Sequence, residues 1–263
     1  MMIGSIPLSM FFLYILIGFL AQCIDGTLGM AYGVSCRTFL RSVAKLPAAM
    51  ASAVVHCAEM FTTLVSGISH LKLKNVMHDM LWRLMIPGVI GGALGAWFLS
   101  QIGDVLEPFI DLYLIVMGVI IFLKVFRKGK RKPKKLGWKI YPLGLAGGFL
   151  DATGGGGWGP VVTSTLLASD QDVKKSIGTV NTAEFVVTVA ETTTFVALVN
   201  DMSSFWPMIL GVALGGVIAA PLAAYICKKV PVRPLLAVVG LLIIGLNIYN
   251  LIEAVPALLS RLA

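Results

Sequence analysis

Six ionisable side chains stand inside apolar sequence: Asp25, His56, Glu59, Asp151, Glu184 and Glu191. Placing a charge at the centre of a membrane segment costs about 2.5 to 3.5 kcal/mol even on lenient insertion scales. Such groups therefore have work to do: they bind an ion, carry a proton or satisfy broken backbone. Asp25 pairs with Asp151, and Glu59 with Glu184, at matching places in the two halves of the chain. For the two aspartates, each just ahead of a glycine-rich stretch, capping of a broken helix is an equal alternative. For Glu59 and Glu184, mid-way along long apolar segments, a functional reading is the better one.

His56 precedes Glu59 by three residues, so both project from one helix face. Histidine changes charge near neutral pH, which suits a proton-linked role, although it could equally hold a neighbour by a hydrogen bond. Asn181 takes the same place before Glu184. Only one copy of this position can titrate, so we expect Glu184 to be the freer proton carrier, with Glu59 and His56 as an orienting pair.

The element that must position these groups reads DATGGGGWGP from Asp151 to Pro160. Glycine costs about 1 kcal/mol per helical position against alanine and proline about 3, so a helix entering here breaks. Exposed backbone at membrane depth is tolerated only where protein or a water-filled cavity covers it, and transporters build substrate sites at such breaks. A degenerate echo, DGTLGMAYG, runs from Asp25 to Gly33, with Gly29 matching Gly155, Tyr32 matching Trp158 and Gly33 matching Gly159. Half-helix ends and hydroxyls suit a desolvated anion. The candidate substrate-binding residues are accordingly Thr153, Gly154, Gly155, Gly156, Gly157, Trp158, Asn181 and Thr182, with Thr27, Gly29, Tyr32 and His56 from the first half. Glu184, Glu59, Asp151 and Asp25 are the candidate coupling carboxylates. The threonines from Thr179 to Thr194 also serve as helix-packing glue, the better reading for most of them.

Composition sets the class. The 263 residues are 57% hydrophobic and 13% charged, with apolar runs from end to end, so the chain is an all-α polytopic membrane protein. The net charge of +8 is concentrated in RKGKRKPKKLGWK, from Arg127 to Lys139, and the remainder balances at 13 basic against 13 acidic residues. That run reads as a cytoplasmic loop near anionic lipid, not a nucleic-acid site. The first twenty residues hold no Lys or Arg and are expected to be structure, not a secretory signal. The four cysteines have no metal-ligand spacing and read as buried hydrophobes. No nucleotide loop follows the glycines and no nucleophile–base pattern is visible, so neither enzyme nor cofactor is expected.

The second half repeats the first: VVHCAEMF matches TVNTAEFV, and PGVIGGALGAW matches LGVALGGVIAAP. Two copies make a duplicated transporter-like architecture. We divide the chain into a first repeat (1–126), a basic cytoplasmic loop (127–139) and a second repeat (140–263), each repeat a glycine-broken first element, hairpin or discontinuous, followed by three spans. If the second glycine segment spans, 13 of the 21 Lys and Arg lie inside; if it re-enters as a hairpin, 17 do. The positive-inside rule thus favours inverted repeats, with Arg37, Arg41 and Lys45 as violations.

The stretch GGFLDATGGGGWGP, the V-H/N-x-A-E helices and the basic loop between the halves together resemble the sulfite exporter TauE/SafE family, also called the toluene sulfonate uptake permease family. The similarity covers nearly the whole chain, though Leu28 and Met30 stand in the first copy where the second has glycine. The resemblance implies a multi-pass plasma (inner) membrane transporter of sulfur-containing anions such as sulfite, sulfoacetate or other organosulfonates. Its partners would be that small anion and the bilayer, with a homodimer as one assembly open to it. The absence of an ATP-binding domain on this chain points to secondary transport, with a subunit driven by a separate ATPase as the alternative. The competing reading is a cation or metal transporter with the carboxylates as ligands, since they outnumber cations in the apolar segments. A membrane scaffold is a third, which duplicated buried carboxylates disfavour.

Overall fold

The computed structural model describes residues 2–262 apart from 4–5, 29–31, 127–135, 164, 167–168, 170–172, 201 and 227–231. Gly29, Cys227, Lys228, Lys229 and most of the basic loop therefore lie outside the described residues, as does the side chain of Thr27. The rest is mostly helical, with short connecting turns and a short pairing of Met2–Ile3 with Ile6–Pro7. The helices are α1 (Leu8–Leu28), α2 (Tyr32–Ala44), α3 (Ala48–Lys72), α4 (His78–Leu123), α5 (Ile140–Gly154), α6 (Val173–Leu198), α7 (Trp206–Ile226) and α8 (Val232–Leu262). Without water to bond them, backbone groups in lipid must be satisfied within the segment, and the helix does this.

Among the described residues, three helical stretches are long and apolar enough to cross a membrane: Ala48–Lys72, His78–Gly103 and Met202–Ala220. Helix α4 holds two expected segments in one run, bent at Ile102 (φ −131, ψ 25) just ahead of Gly103 and Pro108. Its first arm shows a stripe of exposed Trp82, Ile86, Ile90, Leu94 and Trp97. Apolar side chains on one outward face, with Trp near each end, suit contact with lipid.

Both glycine elements turn the chain back on itself. Helix α5 ends at Gly155, whose left-handed backbone (φ +66) needs no Cβ, and the N–H groups of Gly155 and Gly156 both bond to the Asp151 carbonyl. A π-helical turn, Gly159–Thr163, follows and runs back along α5. Leu166 thereby joins the same packed cluster as Ile140 and Leu84, at the entry end of α5. In the first half α2 returns beside α1, so that Leu40 shares a cluster with Tyr14 and Ile17, with Met10, Ala44 and Leu46 packed against it.

Helix α1 lies against α7, and α5 against the first arm of α4, at glycine contacts that exclude a Cβ. Gly215 faces the Ile15 carbonyl and Phe19 N–H on α1; Gly91 faces the Leu145 carbonyl and Phe149 N–H on α5. Helices α3 and α6 cross antiparallel through the centre, with Gly67 against Thr182 and His56 against Glu191. The second arm of α4 meets α8 at Gly118 and Gly240.

The three basic residues that broke the charge rule are not in a free loop. Arg37 and Arg41 sit four apart on α2 and turn inward, while Lys45 lies just beyond the end of α2 and is exposed. Arg37 is fully buried, its stem occupying the space that a Cβ on Gly155 would take. Arg41 pairs with buried Asp111 at 2.6 Å, and Lys45 lies over the Tyr249 ring, 4.6 Å from its centroid.

Candidate functional site

Beside the first hairpin, a narrow, partly open cleft is lined by Gln22 and Asp25 of α1, Tyr32 of α2, Glu59, Thr62, Thr63 and Ser66 of α3, and Asn181 and Glu184 of α6. The α3 set falls at spacings of three and four, one helix face turned to the cavity. Five residues expected from sequence meet here: Asp25, Tyr32, Glu59, Asn181 and Glu184. Gln22, Thr62, Thr63 and Ser66 were not foreseen, though the helical spacing from Glu59 was a signal for the last three.

Three carboxylates share this space, with no cationic side chain in its lining among the described residues. The hydroxyls of Thr62 and Thr63 donate to the Glu59 carbonyl, and the Asn181 amide donates to the Ser66 hydroxyl at 3.1 Å. Asp25 accepts the backbone N–H of Tyr32. Asp151 does the same seven residues ahead of its own aromatic, accepting the Trp158 N–H at 2.9 Å. Both aspartates thus hold their hairpins closed, and Asp25 also faces the cavity.

The second glycine element does not line this cavity. Gly154 packs on Tyr113, Gly155 on Arg37, Gly156 on the backbone of Gly33 and Val34, and Gly157 on Leu150. The close backbone approach expected of these glycines is present, and its partner is the other hairpin. Trp158 is fully buried, donates from its indole to the Val180 carbonyl at 3.1 Å and fills the space above Gly88 and Gly147. Thr153 and Thr182 each bond back to a carbonyl of their own helix.

Behind the cavity lies a second polar cluster. His56 is fully buried, stacked at 8° on Phe195, with Nε2 donating to the Asp151 carbonyl at 3.3 Å. Its Nδ1 is 3.3 Å from Glu59 Oε2 and 3.2 Å from Glu191 Oε2. The expected pairing of His56 with Glu59 is therefore present, together with a partner that was not expected. Glu191 was visible in the sequence as a buried acid, seven residues and so two turns beyond Glu184, but the matching position in the first half is Ser66 and no pair drew attention to it.

The family model for sulfite exporter TauE/SafE matches residues 14–250. The chain belongs to the sulfite exporter TauE/SafE family. It is also 43% identical over 244 residues, covering 90% of this chain and 81% of the relative, to the "Probable membrane transporter protein YtnM" of Bacillus subtilis (strain 168). No solved structure matches. The TauE/SafE membership makes the chain an integral membrane transporter and not an enzyme, and the long apolar helices with outward apolar stripes are those of a membrane-embedded member of the family.

Proposed function

We propose that this TauE/SafE protein is a secondary transporter of small sulfur-containing anions, sulfite, sulfoacetate or another organosulfonate, moved together with protons across the inner membrane. The observation that carries the reading is the cavity between the halves, with Asp25, Glu59 and Glu184 beside Asn181, Ser66 and Tyr32. Like charges this close repel one another and would repel an anion. Protons must therefore load the carboxylates before an anion enters. Once neutral, they become O–H donors alongside the Ser66 hydroxyl, and a tetrahedral or pyramidal oxyanion has partners on several sides.

In this reading residues 1–126 and 140–263 are inverted repeats joined by the loop 127–139. The antiparallel crossing of α3 with α6 supports it, as do the exchanged pairings α1 with α7 and α5 with α4. Parallel repeats would bring α3 and α6 together side by side in the same direction. Substrate then sits where the α3–α6 crossing meets the first hairpin.

The test is a proteoliposome flux screen with sulfite, sulfoacetate, taurine and sulfate set against divalent cations. Saturable flux of one of the sulfur oxyanions, with its pH dependence lost in Glu184→Gln, is the expected result. Uptake of a divalent cation with no response to any anion would overturn the reading.

A further inference from the structure

We infer that His56 is a proton turnstile between the cavity and a proton-holding site at Glu191. The inference rests on the transport reading for its purpose, but on geometry for its substance. A carbonyl oxygen only accepts, so the bond to Asp151 fixes a proton on Nε2 of His56. Neutral His56 then presents a bare Nδ1, and the two nearest atoms are carboxylate oxygens at 3.2 and 3.3 Å. Three acceptors cannot face one another at these distances without a proton among them.

Glu59 Oε2, both oxygens of Glu191, Asp151 Oδ2 and His56 Nδ1 make no other hydrogen bond among the described residues. A proton on Glu59 Oε2 passes to Nδ1, giving an imidazolium with both nitrogens protonated. The same Nδ1 proton then leaves to Glu191 Oε2, and neutral His56 is restored with Nε2–H still on the Asp151 carbonyl. Stacking on Phe195 keeps the ring in the plane that serves both oxygens.

Glu59 lines the cavity, whereas Glu191 does not; it is wholly buried. Its carboxylate occupies the space left by Gly92, where a Cβ would come within 2.6 Å of Oε1. Glu191 can thus hold a proton that substrate never touches. Asp151 of α5 and Arg37 of α2 act on His56 electrostatically; Asp25 of α1 acts on Glu59; Asp151, Glu59 and Glu184 act on Glu191; and Asp151 acts on Tyr113 of α4.

The experiment is infrared difference spectroscopy of the purified full-length protein in lipid, stepped between acidic and alkaline pH without substrate, beside flux in proteoliposomes. Wild type should show a carboxylic-acid C=O band that vanishes in Glu191→Gln and shifts in Gly92→Ala and His56→Gln. Glu191→Gln should bind the transported anion within about twofold of wild type but lose at least about tenfold of the flux driven by a proton gradient. An unchanged band in Glu191→Gln would overturn the inference even if anion flux is found. A Glu191 band in a protein that moves no anion would uphold it while sinking the transport reading. Saturable binding of Mn2+ or Zn2+ that is lost in both His56→Gln and Glu191→Gln would replace the proton with a metal and overturn it.

Discussion

Gly33 and Gly156, one from each hairpin, meet backbone to backbone: a Cβ on Gly33 would lie 2.7 Å from the Cα of Gly156. The two breaks brace each other, and the cavity opens beside their contact instead of between them. Gly156 has φ +149, and its own Cβ would run into the Val34 N–H. Gly156→Ala should therefore cost at least about 2 kcal/mol from backbone strain and overpacking together. Gly245→Ala, where nothing lies within 4 Å, should be neutral or slightly stabilising. Thermal unfolding of detergent-solubilised protein measures both, and equal midpoints would remove the bracing role.

Trp158→Phe separates packing from recognition. It deletes the bond to the Val180 carbonyl and leaves a void over Gly88, at a cost of about 1 to 3 kcal/mol. Stability should fall while the affinity of the remaining folded protein for its anion stays within about twofold, since this side chain does not line the cavity. A selective loss of affinity would restore the substrate role expected from sequence.

The Arg41–Asp111 pair ties α2 to α4 with both side chains nearly inaccessible. Removing one partner of a buried pair costs about 3 to 5 kcal/mol, because the other charge is left in an apolar setting. Asp111→Leu should sharply lower the folded yield, and Arg41→Leu/Asp111→Leu should recover much of it. Equal yields for the single and double variants would show that the pair is not coupled.

Cysteines placed at Lys139 and Lys175, in an otherwise cysteine-free protein, should be labelled by an impermeant reagent from the same side. That is the cytoplasmic side if the basic residues obey the charge rule. Labelling from opposite faces would rule out the hairpin and the inverted repeat with it.

The helices, the hairpin turn at Gly155 and the gathering of Asp25, Glu59 and Glu184 were legible because glycine, proline and buried acids carry a local energetic cost that composition displays. The partners of Arg41 and Lys45 were not, because the pairs they make bridge up to 204 residues, as Lys45 does with Tyr249. Those residues therefore read as topological violations. Glu191 was visible but lacked a repeat counterpart, and only the antiparallel crossing of α3 and α6 shows it meeting His56. The glycine run advertised close approach, yet nothing in it said whether a ligand or Gly33 would be approached.

If an anion enters the cavity only with protons on its carboxylates, anion and proton must move together, and co-flux measures both. A sulfonate that stays ionised across the working pH range is allowed to run down its gradient into weakly buffered proteoliposomes, with anion uptake and internal pH followed together. Acidification of the receiving compartment in step with uptake, abolished in Glu59→Gln/Glu184→Gln while the protein stays folded, is the predicted result; uptake with no proton movement would contradict the account.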